Sequence, residues 1–323
     1  MSKAIRFYEI GGPEVLKFEN VEVGDPGPGE VRIKHTFTAV NFIDVYYRTG
    51  FYPTALPNGL GSDAVGVVEA IGPDVTEVKV GQRVGYLMGP LGAYATERVM
   101  PAHFLIPLPD EVTDRTAATL MMKGMTAQYL FRQVYPLKGG ETILYHAAAG
   151  GVGLIACQWA KAMGVRMIGT VSTDEKAALA KANGCEHVIV TSRENIVERV
   201  KEITDGVGVP VVYDSVGKDT LEASLNCLSL RGTLVSNGTS SGPVIIDAHQ
   251  LALKGSLSVT RPAMAHFIQP RSHMLSMADE VFEMVKSGKI VSEPKQIYSL
   301  ADAAEAHRAL ESRATTGATV LVP

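Results

Sequence analysis

Residues 142–260 alternate between short apolar segments and helical segments, and this alternation constrains the fold more than any other feature of the chain. The first two helical segments, 151–163 and 174–183, end at Gly164 and Gly184, which is typical of helix termination. Strands separated by helices of this length need right-handed crossovers, which place the strands in a parallel sheet. The sequence therefore predicts a doubly wound α/β domain. Its predicted strands are 142–146, 165–171, 187–190, 209–214, 233–236 and 257–260.

Residues 3–101 follow a different pattern, in which short alternating strands are separated by turn residues such as Gly72-Pro73-Asp74. This pattern predicts a compact or partly open β barrel. Two helical segments follow, with a break at Lys123-Gly124-Met125-Thr126, where we place the domain boundary. The order of predicted helices and strands changes again from residue 272, and we interpret this tail as returning to complete the first domain. The predicted domains are 1–124 completed by 265–323, and 125–264.

Composition narrows the classes of partner. The chain has 323 residues, 46% apolar and 20% charged, with a net charge of −4, so it offers no basic face for nucleic acid or anionic lipid. Its three cysteines are too widely spaced for a disulfide framework or a CxxC motif. The first ten residues contain no apolar signal core, and the uncharged run 147–160 is short and interrupted by glycines. We therefore expect a cytoplasmic protein that acts on small molecules.

A run of small residues, 147–153, lies between the first predicted strand of the α/β domain and its first helix. At such a turn, small residues let backbone N–H groups approach a pyrophosphate, and the helix N-terminus adds partial positive charge. Glycine-rich turns are common, but this turn comes with four further strand and helix units. The context predicts a dinucleotide site; the alternative is a tight turn without a nucleotide.

The end of the second strand bears on the choice between NAD and NADP. Asp174 lies about twenty residues past the glycines, where an acidic residue suits the ribose of NAD. It also follows Ser172 and Thr173, which are typical of a helix cap, so it could simply complement the helix dipole. Lys176 in the same first turn is mildly unfavourable to the helix dipole, unless an anion such as a 2′-phosphate lies opposite it. These local features leave both cofactors open.

Ligands for a zinc ion are missing from the sequence. A catalytic zinc needs about three ligands from Cys, His or carboxylate, and no cysteine precedes Cys157. Ser62 and Asp63 occupy the place of the histidine and glutamate of zinc alcohol dehydrogenases, and His35 and His103 are isolated. We expect no metal. Hydride transfer needs only an aligned cofactor and a site that excludes water.

Several motifs agree in their order along the whole chain with one superfamily. They are Asn41-Phe42-Ile43-Asp44, Gly61-Ser62-Asp63-Ala64-Val65-Gly66, Gly81-Gln82-Arg83-Val84, 147–153, Val212-Tyr213-Asp214-Ser215-Val216-Gly217, Val259-Thr260-Arg261-Pro262 and Leu310-Glu311-Ser312-Arg313. With them the chain resembles the medium-chain dehydrogenase/reductase superfamily, and more closely its zinc-free quinone oxidoreductases, the zeta-crystallin-like branch. The resemblance implies a GroES-like mostly β catalytic domain, a Rossmann domain, a homodimer and NADPH-driven reduction of quinones.

The resemblance also implies roles for individual residues. Asn41, Tyr46 and Tyr52 are the catalytic candidates; Asn41 and Tyr46 would orient the substrate carbonyl, and Tyr52 or solvent would supply protons. Ser172 and Lys176 would hold the 2′-phosphate, and Pro262 and Arg313 would close over the cofactor. The complete set implied for the cofactor is Phe42, Ile43, Asp44, Val45, Tyr46, Tyr129, Gly151, Val152, Ser172, Lys176, Thr191, Ser215, Asn237, Gly238, Thr239, Ser240, Pro262 and Arg313.

Plainer interpretations of these residues stay open. Asn41 could only cap a strand end, Tyr46 and Tyr52 could be core aromatics, and Lys123 could be an ordinary surface charge. Thr191 stands where close relatives often have a tyrosine, so contact with the adenosine phosphate could be weaker or shared with Arg193.

Alternative functions remain as well. One is reduction of an α,β-unsaturated carbonyl by NADPH. Another is a non-enzymatic NADPH-binding protein of the lens-crystallin or RNA-regulating kind, against which the near-neutral charge argues.

Overall fold

The computed structural model describes all residues, Met1–Pro323, and divides into two compact units. Unit 1 contains Met1–Met125, Gln269–Ser287 and Val291–Pro323, and unit 2 contains Thr126–Ile268 and Gly288–Ile290. No helix is long and apolar enough to cross a membrane.

Unit 2 is built on one six-stranded parallel sheet with helices in the connections. Numbered along the whole chain, its strands are β9 (Thr142–Tyr145), β10 (Arg166–Val171), β11 (His187–Val190), β12 (Val209–Asp214), β13 (Leu228–Ser236) and β14 (Ser258–Thr260). Its helices are α3 (Gly151–Ala162), α4 (Asp174–Ala182), α5 (Ile196–Ile203), α6 (Leu221–Cys227), α7 (Ala248–Leu253) and α8 (Met264–Phe267).

The strand order is β11-β10-β9-β12-β13-β14, and every neighbouring pair is parallel. This is the order of a dinucleotide-binding Rossmann sheet, and it reverses between β9 and β12. The predicted doubly wound domain is confirmed. Its core consists of apolar side chains from the strands and the helices packed on them, among them Leu144, Ile168, Ile189, Val212 and Leu225.

Unit 1 is mostly β. Its strands are β1 (Ser2–Phe7), β2 (Lys17–Val21), β3 (Glu30–Val40), β4 (Asn58–Gly59), β5 (Asp63–Ile71), β6 (Arg83–Leu87), β7 (Glu97–Pro101), β8 (Ile106–Pro107), β15 (Pro294–Ser299) and β16 (Ala318–Val322). Its helices are α1 (Phe42–Arg48), α9 (Arg271–Lys286) and α10 (Ala303–Glu311), and α2 (Asp114–Tyr129) begins in this unit.

These strands form two sheets. A small sheet has the order β2-β1-β4, and a seven-stranded sheet has the order β15-β16-β3-β5-β6-β8, with β7 also paired to β3. The long strand β3 pairs with β5, β7 and β16, so the end of the chain returns to the sheet begun near its start.

Two differences from the sequence prediction concern helices of unit 1. The predicted break at Lys123 is wrong: α2 runs unbroken from Asp114 to Tyr129 and continues as a π-helical turn, Leu130–Val134. Gly124 lies inside this helix instead of ending it. A side chain at this position would collide with Val281, so the glycine allows the helix to pack closely there. Helix α1 was not predicted, since its seven residues are too few to show a helical period.

Candidate active site

The start of α1 is anchored by a buried carboxylate. Asn41 is the N-cap of this helix, and its backbone N–H donates to Asp44 Oδ2 at 2.9 Å. Asp44 is completely buried and also accepts hydrogen bonds from Ser62 Oγ at 2.7 Å and from Tyr94 OH at 2.9 Å. The Asp44 side chain thus points into the interior, where it accepts these three hydrogen bonds, and a contact of this residue with the cofactor, implied by the resemblance, stays a prediction.

The Asn41 side chain is fixed on both sides of its amide. Its Nδ2 donates to Asp63 Oδ1 at 2.5 Å and to the carbonyl of Ala39 at 3.4 Å, and its Oδ1 accepts from Lys123 Nζ at 2.8 Å. Asp63 Oδ2 also accepts the backbone N–H of Met122 at 3.2 Å. The amide protons of Asn41 are thus used within the protein. A hydrogen bond from them to a substrate carbonyl would require one of these contacts to break.

Lys123 is not a surface charge: it is only 6% exposed, and its ammonium also donates to the carbonyl of Val40 at 3.3 Å. We call Asn41, Asp44, Ser62, Asp63, Tyr94 and Lys123 the buried polar cluster. All six side chains belong to unit 1 and are less than a tenth exposed.

Burial shifts the ionisation of this cluster toward neutral pH. It raises the pKa of Asp63 to about 7 and that of Asp44 to about 6, with the Lys123 ammonium opposing both shifts. Burial likewise lowers the pKa of Lys123, and the two carboxylates oppose that change. Desolvation disfavours each charged form, whereas the opposite charges favour it. The cluster therefore holds two carboxyl groups whose protonation burial favours, next to one buried ammonium.

A second chain of hydrogen bonds leads from the cluster to the last helix. Arg48 Nη1 donates to His307 Nδ1 at 3.0 Å, and His307 Nε2 lies 3.2 Å from Tyr94 OH. Since the guanidinium can only donate, Nδ1 is the acceptor and the proton of the neutral ring is on Nε2. Arg48 also holds Glu311 in a two-pronged ion pair at 2.7 and 2.8 Å. Burial, with the adjacent Arg48 charge, lowers the pKa of His307 to about 3, so the ring is neutral.

Aromatic side chains gather around α1. The Tyr46 ring lies 5.4 Å from Phe42, 5.2 Å from Tyr52 and 5.2 Å from Phe51, measured between ring centroids. Tyr46 is buried and Tyr52 is half-buried. We call these four residues the aromatic group. The structure thus brings together the predicted Phe42, Tyr46 and Tyr52 and adds Phe51, while Val45 is buried and Ile43 half-buried on the same helix.

In unit 2 the glycine-rich turn has the form a pyrophosphate site requires. Helix α3 begins after Gly150, and no side chain caps its N-terminus. A side chain on Gly153 would overlap the carbonyl oxygen of Ala147, so the turn packs tightly against the helix. The first backbone N–H groups of the helix, at Gly151 and Val152, have no partner four residues earlier and can bind an anion.

A buried histidine supports this turn. His146 Nε2 lies 2.9 Å from Ser224 Oγ and Nδ1 lies 2.9 Å from Thr170 Oγ1. Ser224 donates its proton to Asp214 Oδ2 at 2.7 Å, so it accepts from His146, whose proton is therefore on Nε2. Burial lowers the pKa of His146. The neutral imidazole ties the end of β9 to its neighbours β10 and α6.

Further predicted cofactor residues lie where β12 and β13 end. A side chain on Gly238 would overlap the carbonyl oxygen of Ser215, so the two chain segments are in close contact. Asn237 Oδ1 and Ser236 Oγ are buried and have no hydrogen-bond partner in the protein. Orphaned buried polar atoms at the carboxyl edge of a Rossmann sheet are suited to a ligand. Thr239 is buried and Ser240 half-buried beside them.

The ends of β10 and β11 carry the residues predicted for the 2′-phosphate. Thr173 caps α4 through the backbone N–H of Lys176, and Ser172 is exposed beside it. Asp174 forms an ion pair with Arg193 at 2.7 Å. The Thr191 hydroxyl donates to the carbonyl of Val171 at 3.1 Å, so its only proton is used there.

The remaining predicted residues are placed as follows. Tyr129 is buried and lies against Phe267, with 4.9 Å between ring centroids and the rings tilted by 32°. Pro262 is half-buried in unit 2, and Arg313 is exposed in unit 1, where its backbone is left-handed with φ of 60°. Their contact with a cofactor stays a prediction.

Sequence reasoning missed several residues of these networks, chiefly Lys123, Tyr94, His307, Arg48 and His146. Lys123 had a signal: it is the only charge in the run 116–131, which is otherwise suited to a buried helix. The others had none, because their partners lie far away in the chain. No group of three His, Cys, Asp or Glu side chains comes together as a metal site.

Comparison with known proteins agrees with this architecture. Residues 27–110 match the family described as the alcohol dehydrogenase GroES-like domain, and residues 151–286 match the family described as zinc-binding dehydrogenase. The chain is 53% identical to a quinone oxidoreductase of Pseudomonas aeruginosa, covering 100% of both chains. It is 44% identical to a 2-haloacrylate reductase of a Burkholderia species, covering 100% of this chain and 99% of the relative. The structure of Escherichia coli quinone oxidoreductase complexed with NADPH superposes with a TM-score of 0.98 at 46% identity, covering 99% of this chain and 100% of the other.

Proposed function

This chain belongs to the quinone oxidoreductase family, and from that premise we propose that it reduces quinones with NADPH. The observation that carries the proposal is the full-length match to quinone oxidoreductases, one of them complexed with NADPH. The Rossmann sheet, its uncapped glycine turn and the aromatic group agree with it.

The residues of unit 2 fit a dinucleotide. The N-terminus of α3 would bind the pyrophosphate, and the orphaned Asn237 Oδ1 would take a donor from the cofactor. Ser172 and Lys176 would hold the 2′-phosphate, with the lysine acting as a point charge. When bound, NADPH supplies the hydride, and the protein has to orient the two reactants and exclude water.

In unit 1 the aromatic group offers flat apolar faces to a quinone ring. Reduction of a quinone to a hydroquinone takes up one hydride and one proton. We assign the orientation of the carbonyl to Tyr46, and the proton to Tyr52 or solvent. Asn41 supports α1, which carries Tyr46, while its own amide protons stay within the buried polar cluster.

The side chains present do not fit a catalytic zinc. In the protein Asp63 accepts hydrogen bonds from Asn41 and Met122, Ser62 donates to Asp44, and no three Cys, His or carboxylate side chains come together. Zinc needs three protein ligands from Cys, His or carboxylate. No step of the proposed reaction therefore depends on a metal.

Steady-state rates of NADPH and NADH oxidation with 1,4-benzoquinone and 9,10-phenanthrenequinone, with and without a chelator, test the proposal. We expect rapid oxidation that prefers NADPH and does not respond to the chelator. Binding of NADPH without oxidation by any quinone would contradict quinone reduction, and inhibition by the chelator would contradict the metal-free reaction.

A second candidate is reduction of an activated carbon–carbon double bond, favoured by the similarity to a 2-haloacrylate reductase. This reaction uses the same hydride but needs a proton donor placed near the carbon next to the carbonyl. A panel of enones and 2-haloacrylates, assayed beside the quinones, separates the two. Higher kcat/KM for the double-bond substrates would replace the first proposal by the second.

We further propose that the chain acts as a homodimer, as the family resemblance implies, and that it acts in the cytoplasm, as expected from the sequence. Light scattering coupled to size-exclusion chromatography tests the dimer, since a mass of one chain, 34.5 kDa, would contradict it. Cell fractionation tests the location.

A further inference from the structure

An ion pair lies where the 2′-phosphate is proposed to bind. Strands β10 and β11 are parallel neighbours, with Val171 paired to Val190, so the residues that follow them lie side by side at one edge of the sheet. Arg193 Nη2 donates to Asp174 Oδ1 across this edge at 2.7 Å. The two side chains are 53% and 72% exposed. They form a solvent-facing pair rather than part of the core.

From this geometry we infer that Arg193 is a further specificity-determining residue, which neutralises Asp174 and donates to the 2′-phosphate of NADPH. This inference rests on the proposed function and names the residue on which its cofactor preference depends. The inference does not require any quinone chemistry.

The charges of the edge support this role. Asp174 and Glu175 are carboxylates in the first turn of α4, so without a cation opposite them they would repel a phosphate dianion. Glu194 accepts the backbone N–H of Val190 at 2.8 Å and forms an ion pair with Arg199 at 3.2 Å. Arg193 is thus the cation that meets Asp174, and it also lies 4.0 Å from Glu194. Arg199 is paired with Glu194 and Glu202 instead.

Thr191 cannot take over the contact through its hydroxyl proton. That proton is donated to the carbonyl of Val171, and the Thr191 backbone N–H donates to the same oxygen at 2.8 Å. Arg193, two residues on, has a planar guanidinium with several donors, a group that binds carboxylate and phosphate equally well. The guanidinium can therefore leave Asp174 and bind an incoming 2′-phosphate, or donate to both groups at once.

The test compares binding of adenosine 2′,5′-bisphosphate and of 5′-AMP by isothermal titration calorimetry in four proteins: wild type, Arg193→Gln, Asp174→Asn and the double variant. The wild type should prefer the bisphosphate. Arg193→Gln should reduce that preference about tenfold or more, the size of one charge-assisted hydrogen bond. The double variant should recover part of the loss, because the repelling carboxylate is gone.

Arg166→Gln is a matched control. Arg166 forms an exposed ion pair with Glu186 at 3.0 Å, but it lies at the opposite end of β10. The Arg166→Gln variant should keep the wild-type preference for the bisphosphate over 5′-AMP. Equal effects of Arg193→Gln and Arg166→Gln, or a wild type that binds both nucleotides equally, would overturn the inference whatever the chain does with quinones. A preference that Arg193→Gln reduces would support it even if no quinone were reduced, which separates the two proposals.

Discussion

The ammonium of Lys123 lies 2.8 Å from the amide oxygen of Asn41, and both side chains are buried. The lysine therefore sets the orientation of the amide, directing its N–H groups to Asp63 and Ala39. Through the N-cap at Asn41, this contact also fixes the start of α1, the helix that carries Tyr46.

Replacing Lys123 by Met should lower kcat for quinone reduction about tenfold or more, because a misplaced catalytic group loses alignment. The free energy of unfolding should also fall, by about 1–3 kcal/mol, because Asn41 Oδ1 and the carbonyl of Val40 lose their buried donor. Without the cation the pKa of Asp63 rises further, so protonation of this carboxyl limits the loss. Initial rates and thermal unfolding measure the two effects. Lys295→Met, at an exposed position of unit 1, is the control. A variant that keeps its kcat would show that the contact does not position the site.

The second prediction concerns pH. Because burial raises the pKa of Asp63 to about 7, the folded protein holds a proton there that the unfolded chain releases near pH 4. The protonated Asp63 therefore stabilises the fold at and below about pH 4. This contribution is lost as the pH rises from about 4 to about 7.

Asp63→Asn isolates this contribution, since the amide stays uncharged. The free energy of unfolding of the variant minus that of the wild type should rise between pH 4 and pH 8 by at most about 4 kcal/mol. Urea unfolding at each pH measures it. The lowered pKa values of His35 and His307 make the stability of both proteins rise with pH. Subtracting the wild-type free energy from that of the variant removes this shared effect. A difference that is flat with pH would contradict the raised pKa.

The third prediction separates two buried tyrosines of unit 1 that each face a histidine. Tyr94 OH links Asp44 to His307, and Tyr86 OH lies 3.0 Å from His35 Nε2. Changing either tyrosine to Phe should lower the free energy of unfolding by about 1–3 kcal/mol, because a buried polar partner loses its hydrogen bond.

Only Tyr94→Phe should also lower kcat, because it removes a donor from Asp44 at the start of α1. Chemical unfolding together with initial rates distinguishes the two variants. Equal loss of kcat in Tyr86→Phe would mean that the effect is general destabilisation and that Tyr94 has no positioning role.

The fourth prediction concerns the glycine turn. Gly153→Ala should weaken NADPH binding about tenfold or more, because its methyl group would overlap the carbonyl oxygen of Ala147 and displace the turn from α3. Quenching of protein fluorescence or calorimetry measures the Kd. Gly24→Ala is the control, since an added methyl group there meets nothing within 4 Å. Unchanged NADPH affinity in Gly153→Ala would contradict a role of this turn in binding the cofactor.

Much of the fold could be predicted from local sequence. The parallel sheet follows from the alternation after residue 142, because strand and helix periods and terminating glycines are local properties. The boundaries of β11 and β12 agree with the predicted strands 187–190 and 209–214 for the same reason. The unbroken α2 was not predicted because Gly124, an apparent break, is accommodated by packing against Val281.

The candidate site shows which features local sequence patterns can predict and which they cannot. The small residues before α3 indicated a dinucleotide turn, and the family motifs pointed to Asn41 and Tyr46. The sequence by itself determined these elements and the residue types within them. Only the tertiary structure decided which polar side chains are buried together: Lys123 with Asn41 and Asp63, and His307 with Tyr94. Those partners are brought together by strand pairing and helix packing across long stretches of chain, and burial then changes their pKa values, which no local pattern records.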